Sequence, residues 1–165
     1  MVEQNLKICY KTAYMLKDAF PNEIMKITPT TIIEHGKKNG RLLRGGRKAN
    51  SMGGCYAYFT RATPHRIVIK QKILKEGIMY STYGGSHSLS IVPQYKKYVD
   101  LYNYTIHGGL LGGRKKLEGN WAFVDLICHE LAHHRTSGHG KGFKIKYHRF
   151  LNHMVNKVIS GEFYQ

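Results

Sequence analysis

Residues 121–143 read WAFVDLICHELAHHRTSGHGKGF, and the rest of the chain is organised around them. The stretch opens largely apolar, from Trp121 to Cys128, as a helix buried against a core does. It then delivers His129, Glu130 and His133 in the pattern H-E-x-x-H. Residues four apart on a helix differ by only roughly 40° about its axis, so the two imidazoles face the same way. Glu130 lies roughly 100° round from His129, near enough to work on a water held between them. Two neutral nitrogen ligands with a carboxylate beside them as general base make the donor set of a zinc hydrolase.

A catalytic zinc needs a third protein ligand and one open position. His139 is the best candidate, because Gly138 before it can take the left-handed conformation that ends a helix and turns the chain back. The alternative, a carboxylate on a later helix, has little support. The only acid after Glu130 is Glu162, beyond Gly161 and near the end of the chain. Cys128 falls on another face of the helix and is a poor ligand.

Working outward, the 165 residues predict one domain, 1–165, with a modest core. No apolar run is long enough to span a membrane, and the start, MVEQNLKICYKTAY, has no signal-peptide core. Cys9, Cys55 and Cys128 are widely spaced, with no C-x-x-C. They read as buried thiols in a reducing, intracellular compartment, cytoplasm or nucleus or nucleoid. Lysine and arginine number 26 against 10 acids, a formal charge of +16. Such an excess favours a polyanionic partner, most often nucleic acid.

Upstream, Val2, Leu6, Cys9, Ala13, Leu16 and Phe20 recur at spacings of three and four, predicting a helix over 2–20 that Pro21 ends. Glu23–Ile27 is expected to be a short strand closed by Pro29. Residues 36–54 are Gly-rich and basic, with Lys37, Lys38, Arg41, Arg44, Arg47 and Lys48, and read as a mobile loop suited to gripping phosphates. GCYAYFT at 54–60 and RIVIK at 66–70 form a hairpin with one core face, its outer edge open to an extended peptide. His65 in the turn is expected to be solvated.

Residues 76–120 are a Tyr- and Gly-rich excursion in which short strands or irregular structure both fit. It holds half of the chain's 12 tyrosines, between Tyr80 and Tyr104, and the cationic run Arg114-Lys115-Lys116. Aromatics mixed with cations can stack on unpaired bases, although dense tyrosines more often pack on one another. Asn120 is a plausible N-cap for the motif helix. A last helix over 141–159 follows, with Phe143, Tyr147, Phe150, Met154 and Val158 as its apolar stripe. His148 and His153 are placed on its solvated side.

HELAHHRTSGHGKGF resembles the signature of the SprT-like (Spartan-type) zinc metalloproteases. SMGGCYAYF followed by RIVIKQKIL is similar to the strand pair that precedes the active-site helix in that family, and the order of elements agrees outside 76–120. WLM and YgjP-like peptidases share the His spacing. The resemblance implies a zinc-dependent protease domain with one Zn²⁺ on His129, His133 and His139, and Glu130 as catalytic base. For Spartan-type members it also implies DNA-dependent cleavage of proteins crosslinked to DNA.

These readings predict an α+β, zincin-like domain: N-terminal helix, short sheet with a hairpin, H-E-x-x-H helix and C-terminal helix. The expected function is zinc-dependent proteolysis of DNA-associated or DNA-crosslinked proteins. The DNA, single-stranded included, is contacted through Lys37, Lys38, Arg41, Arg44, Arg47, Lys48, Arg114, Lys115 and Lys116. Two alternatives stay open: a metal-dependent endoribonuclease with a three-His site, and a small metallopeptidase with no nucleic-acid role. His134, His148 or a tyrosine of the excursion could stabilise the oxyanion.

Overall fold

The computed structural model describes residues 2–38, 41–42, 57–82, 105–107, 114–118, 120–136, 138 and 140–164. Among the described residues, four helices and eight short strands make a mixed α and β fold. Helix α1 (Val2–Ala19) buries Cys9, Thr12, Ala13 and Leu16 along one stripe, with Val2, Leu6 and Phe20 packed at its margin. Thr12 lies within the stripe because its hydroxyl donates to Ile8 O, 2.9 Å back along the same helix.

The strand expected at Glu23–Ile27 is not there; this segment is turn and coil, and the strand comes later, as β1 (Ile32–Glu34). Ile24 and Ile27 are still buried, which is what the apolar pattern reported. The backbone is engaged elsewhere. Lys17 Nζ donates to the carbonyls of Pro21 (2.6 Å) and Ile24 (2.5 Å). Thr28 and Thr31 then close a turn with Pro29 at its second position, through Thr31 N to Thr28 O at 3.0 Å. The Tyr10 hydroxyl receives Ile32 N–H at 3.0 Å and fixes where β1 starts.

The strands β4 (Ala57–Phe59) and β5 (Ile67–Ile69) form the expected antiparallel hairpin, and β1 adds in parallel to β5, giving the order β1-β5-β4. The central strand buries Ile67, Val68 and Ile69 alike, where alternation had suggested a single core face. The edge strand β4 does alternate, with Ala57 buried, Tyr58 exposed and Phe59 half-buried.

Two stretches expected to be loop or irregular contain strands. Lys37–Lys38 (β2) pairs antiparallel with Arg41–Leu42 (β3), so Lys37, Lys38 and Arg41 belong to a hairpin and not to a mobile loop. The signal was Asn39-Gly40, the dipeptide that most favours a two-residue hairpin connection. Arg44, Arg47 and Lys48 lie outside the described residues. After the short helix α2 (Gln71–Glu76), stopped by Gly77 at φ 67°, come β6 (Ile78–Thr82), β7 (Thr105–His107) and β8 (Arg114–Glu118) in the order β6-β8-β7. Arg114, Lys115 and Lys116 therefore sit on a central strand paired on both sides. Of the excursion's tyrosines only Tyr80, in β6, falls within the described residues.

Helix α3 (Asn120–Ala132) packs against α1, β4, β8 and helix α4 (Lys141–Ile159). Phe123, Val124, Leu126, Ile127, Cys128, Leu131 and Ala132 are all at most 5% exposed, so α3 is the apolar centre of the domain. Asn120 is its first residue rather than its cap. Helix α4 buries Phe143, Tyr147, Phe150, Leu151 and Met154; the side chain of Val158 lies outside the described set. A 3₁₀ turn at Glu162–Tyr164 returns Phe163 to the core. No helix among the described residues is long and apolar enough to cross a membrane.

Candidate metal centre

The end of α3 presents the site. His133, His134 and Thr136 donate their N–H groups three residues back, to Glu130, Leu131 and His133 at 3.0–3.1 Å, tightening the last turn to 3₁₀ form. The Thr136 hydroxyl closes on Ala132 O. The chain then reverses through two left-handed residues, Arg135 at φ 66° and Gly138 at φ 70°. Gly138 takes the expected conformation, but Arg135 has already ended the helix three residues earlier.

On this frame His129 Nε2 and His133 Nε2 stand 3.3 Å apart, with ring planes at 70°. Two imidazole nitrogens on one tetrahedral ion at about 2.0–2.1 Å are separated by about 3.3–3.4 Å, so the spacing of the pair is the one that two ligands of a single ion would have. His133 Nδ1 meets Thr136 O at 3.3 Å, the backbone contact that orients a ligating imidazole. Glu130 Oε1 lies 3.9 Å from His129 Nε2. Its carboxyl is 4% exposed, and burial pushes its pKa up to about 8. Among the described residues no group of three His, Cys, Asp or Glu side chains could hold a metal ion. His139, the expected third ligand, lies outside them.

Helix α4 buttresses both imidazoles. The Phe143 ring stacks on His133 at 4.5 Å and 26°, and meets His129 edge-on at 4.9 Å. Tyr147 is edge-on to His129 at 5.7 Å, and its hydroxyl donates to Asp125, one turn before His129 on α3. Burial raises the Asp125 carboxyl to about 6, with the Tyr147 hydrogen bond opposing. Sequence reasoning read Phe143 and Tyr147 as core alone and passed over Asp125. The signal was an acid within the apolar run that precedes the H-E-x-x-H motif, four residues before a candidate ligand.

These groups open into a cleft of about 830 Å³. One wall is β4 and the turn after it, with Tyr58, Phe59, Arg61 and His65; the other is the end of α3, with His134, Arg135, Thr136 and Gly138. His65 is not the solvated turn residue that was expected. Its Nδ1 meets Thr60 O at 2.9 Å, and its ring stacks on Phe59 and lies edge-on to His134. His134 donates from Nδ1 to Glu23 O at 3.2 Å, and burial lowers its pKa against that bond. The donor at Nδ1 is thereby spent on the Glu23 carbonyl.

The remaining candidates lie apart. Cys128 is fully buried, and desolvation holds its thiol protonated. His148 and His153 are half-buried rather than solvated, and His153 lies edge-on to Phe20. Glu162 pairs with Lys157 at 2.5 Å on the surface. Comparison with known protein families, curated proteins and solved structures returns no match to this chain.

Proposed function

We propose that the chain is a zinc-dependent metallopeptidase in which His129, His133 and His139 hold the ion and Glu130 is the general base. The observation that carries this reading is the 3.3 Å approach of the two Nε2 atoms beside a buried carboxylate in an open cleft. When bound, zinc supplies Lewis-acid activation of a water and of the peptide carbonyl. Glu130 takes the water's proton and returns it to the leaving amine. A carboxyl raised towards neutrality suits a group that must both accept and give back a proton. The Thr136 carbonyl and the Phe143 ring hold His133 in one orientation. Among the described residues β4 pairs only with β5, so its outer edge offers main-chain groups to an extended substrate.

The preferred substrates are proteins associated with or crosslinked to DNA. The charge of +16 supports a polyanionic partner, and the SprT-like resemblance of the motif supports DNA. Lys37, Lys38 and Arg41 on the β2–β3 hairpin, Arg114–Lys116 on β8, and Arg44, Arg47 and Lys48 are the proposed phosphate contacts.

The test is metal analysis with a cleavage assay on a DNA-binding protein, with and without DNA. Wild type is expected to hold one zinc per chain and to cleave; His139→Ala is expected to lose zinc strongly. Glu130→Gln is expected to keep fold and zinc and to lose roughly 10²–10⁴-fold in rate. Full zinc in His139→Ala would remove the third ligand. Wild-type cleavage by zinc-loaded Glu130→Gln would remove the mechanism.

A further inference from the structure

We infer that the cleft takes an acidic segment of its substrate, held between Arg61 and Arg135; this rests on the peptidase reading above. The two arginines come from different elements, Arg61 just after β4 and Arg135 at the end of α3, and both line the cleft that contains His129 and Glu130. Both are exposed, and neither forms an ion pair with a described carboxylate. Among the described residues the only acid lining the cleft is Glu130, which is 4% exposed. Two guanidinium groups without a counter-ion make the cleft electropositive, and a dication at the histidines adds to the same sign.

The backbone at Arg135 carries a second argument. Its φ of 66° belongs to the left-handed region, where a residue ending a helix is most often glycine. Any side chain there costs backbone energy, and such residues cluster at binding sites. The chain has a glycine in that conformation three residues later, at Gly138, yet places an arginine in the cleft wall. Arginine's fork matches a carboxylate in two parallel hydrogen bonds, and the exposed Tyr58, which lines the same cleft, offers an apolar surface for the rest of the peptide. A nucleic-acid strand is the weaker fit. Phosphates are followed by rows of cations, and two that flank a peptide-accepting strand edge favour a carboxylate on an extended chain.

The experiment uses zinc-loaded, full-length Glu130→Gln and fluorescent peptides of equal length whose central residues are Asp/Glu, Ser/Gly or Lys. Anisotropy is read at low and high salt, with a single-stranded oligonucleotide as competitor. The acidic peptide is expected to bind about tenfold more tightly than the other two at low salt and to lose that margin at high salt. Arg61→Glu with Arg135→Glu is expected to reverse the order. Arg135→Gly, which relieves the backbone, is expected to melt no lower than its parent and yet to bind the acidic peptide several-fold more weakly. Arg61→Gln provides the same reading singly. Equal affinities for the three peptides, or an unchanged preference in Arg135→Gly and Arg61→Gln, overturns the inference. Displacement of the acidic peptide by the oligonucleotide, with the same arginine dependence, also overturns it and gives the cleft to phosphate. If wild type cleaves none of the peptides while the arginine-dependent binding stands, the acidic site survives and the peptidase reading fails.

Discussion

Asp125 and Glu130 are both buried on one helix with carboxyl pKa values pushed upward, to about 6 and about 8. The folded chain therefore keeps protons that the unfolded chain has already released. For a group with a raised folded pKa, stability is greatest below the unfolded value and falls as pH rises to the folded one. Asp125 acts from its usual 3.8 to about 6. At about 1.4 kcal/mol per unit this is on the order of 3 kcal/mol lost across that window. Glu130 adds the same sign from 4.5 to about 8. Denaturant titrations of chelator-treated protein between pH 4 and 7 are expected to show stability falling with pH, and Asp125→Asn is expected to flatten the fall below pH 6. An identical slope in the two proteins would show that Asp125 is ionised and otherwise neutralised. Glu130 would feel a nearby dication as a force towards ionisation, so the buried acid that destabilises the metal-free fold is the one made ready as a base by metal.

The contact between α3 and α4 ties stability to site geometry. Phe143 is 1% exposed and stacks on His133, so the same ring fills the core and orients a proposed ligand. Phe143→Ala is expected to cost about 3–5 kcal/mol by leaving a cavity. Phe143→Leu fills most of that volume but removes the stacked ring. It is expected to keep most of the stability while zinc affinity falls, as read by competition with a coloured chelator. Unchanged affinity in Phe143→Leu would make the ring packing alone. The apolar stripe of α4 was legible in sequence at Phe143, Tyr147, Phe150 and Met154, because these side chains meet the core at helical spacing. The stripe of α1 was legible for the same reason. The strand β1 was not, since its partner β5 lies more than thirty residues downstream and nothing local marks a parallel pairing. Likewise, His129, Glu130 and His133 could be read from spacing along one helix. The cleft's other wall, with Arg61 and His65, depends on how a sheet edge packs on that helix and leaves no mark in either segment alone.

Across the whole molecule the charge of +16 is spread over elements of different kind, and this decides how it can act. Among the described residues, Arg149 pairs with Glu23 and Lys157 with Glu162. The proposed phosphate set is elsewhere in the chain: Lys37, Lys38 and Arg41 in the β2–β3 hairpin and Arg114–Lys116 in β8. Cations on strands are held at fixed spacing by the ladder, so they meet a backbone with less ordering cost than cations on a loose loop. DNA binding is therefore expected to be electrostatic and indifferent to base sequence, with log affinity falling linearly with log salt at about 0.9 per duplex phosphate neutralised and about 0.7 per single-strand phosphate. Neutralising Arg41, Arg44, Arg47 and Lys48 together is expected to lower both the affinity and the magnitude of that slope. Zinc content should not change, because none of the four belongs to the His129–His133 frame. DNA-stimulated cleavage should fall in parallel, since on the proposed reading DNA would act by holding enzyme and crosslinked protein on one strand, whereas cleavage of a short peptide without DNA should be untouched. Titration of the wild type and the quadruple variant against labelled single- and double-stranded DNA at several salt concentrations reads all of these. Equal slopes would take these four cations out of the interface and leave Lys37, Lys38 and the β8 run as its remaining candidates. An absence of binding at low salt by the wild type would mean that the charge serves something other than DNA, and would reduce the function to peptide hydrolysis at the zinc site.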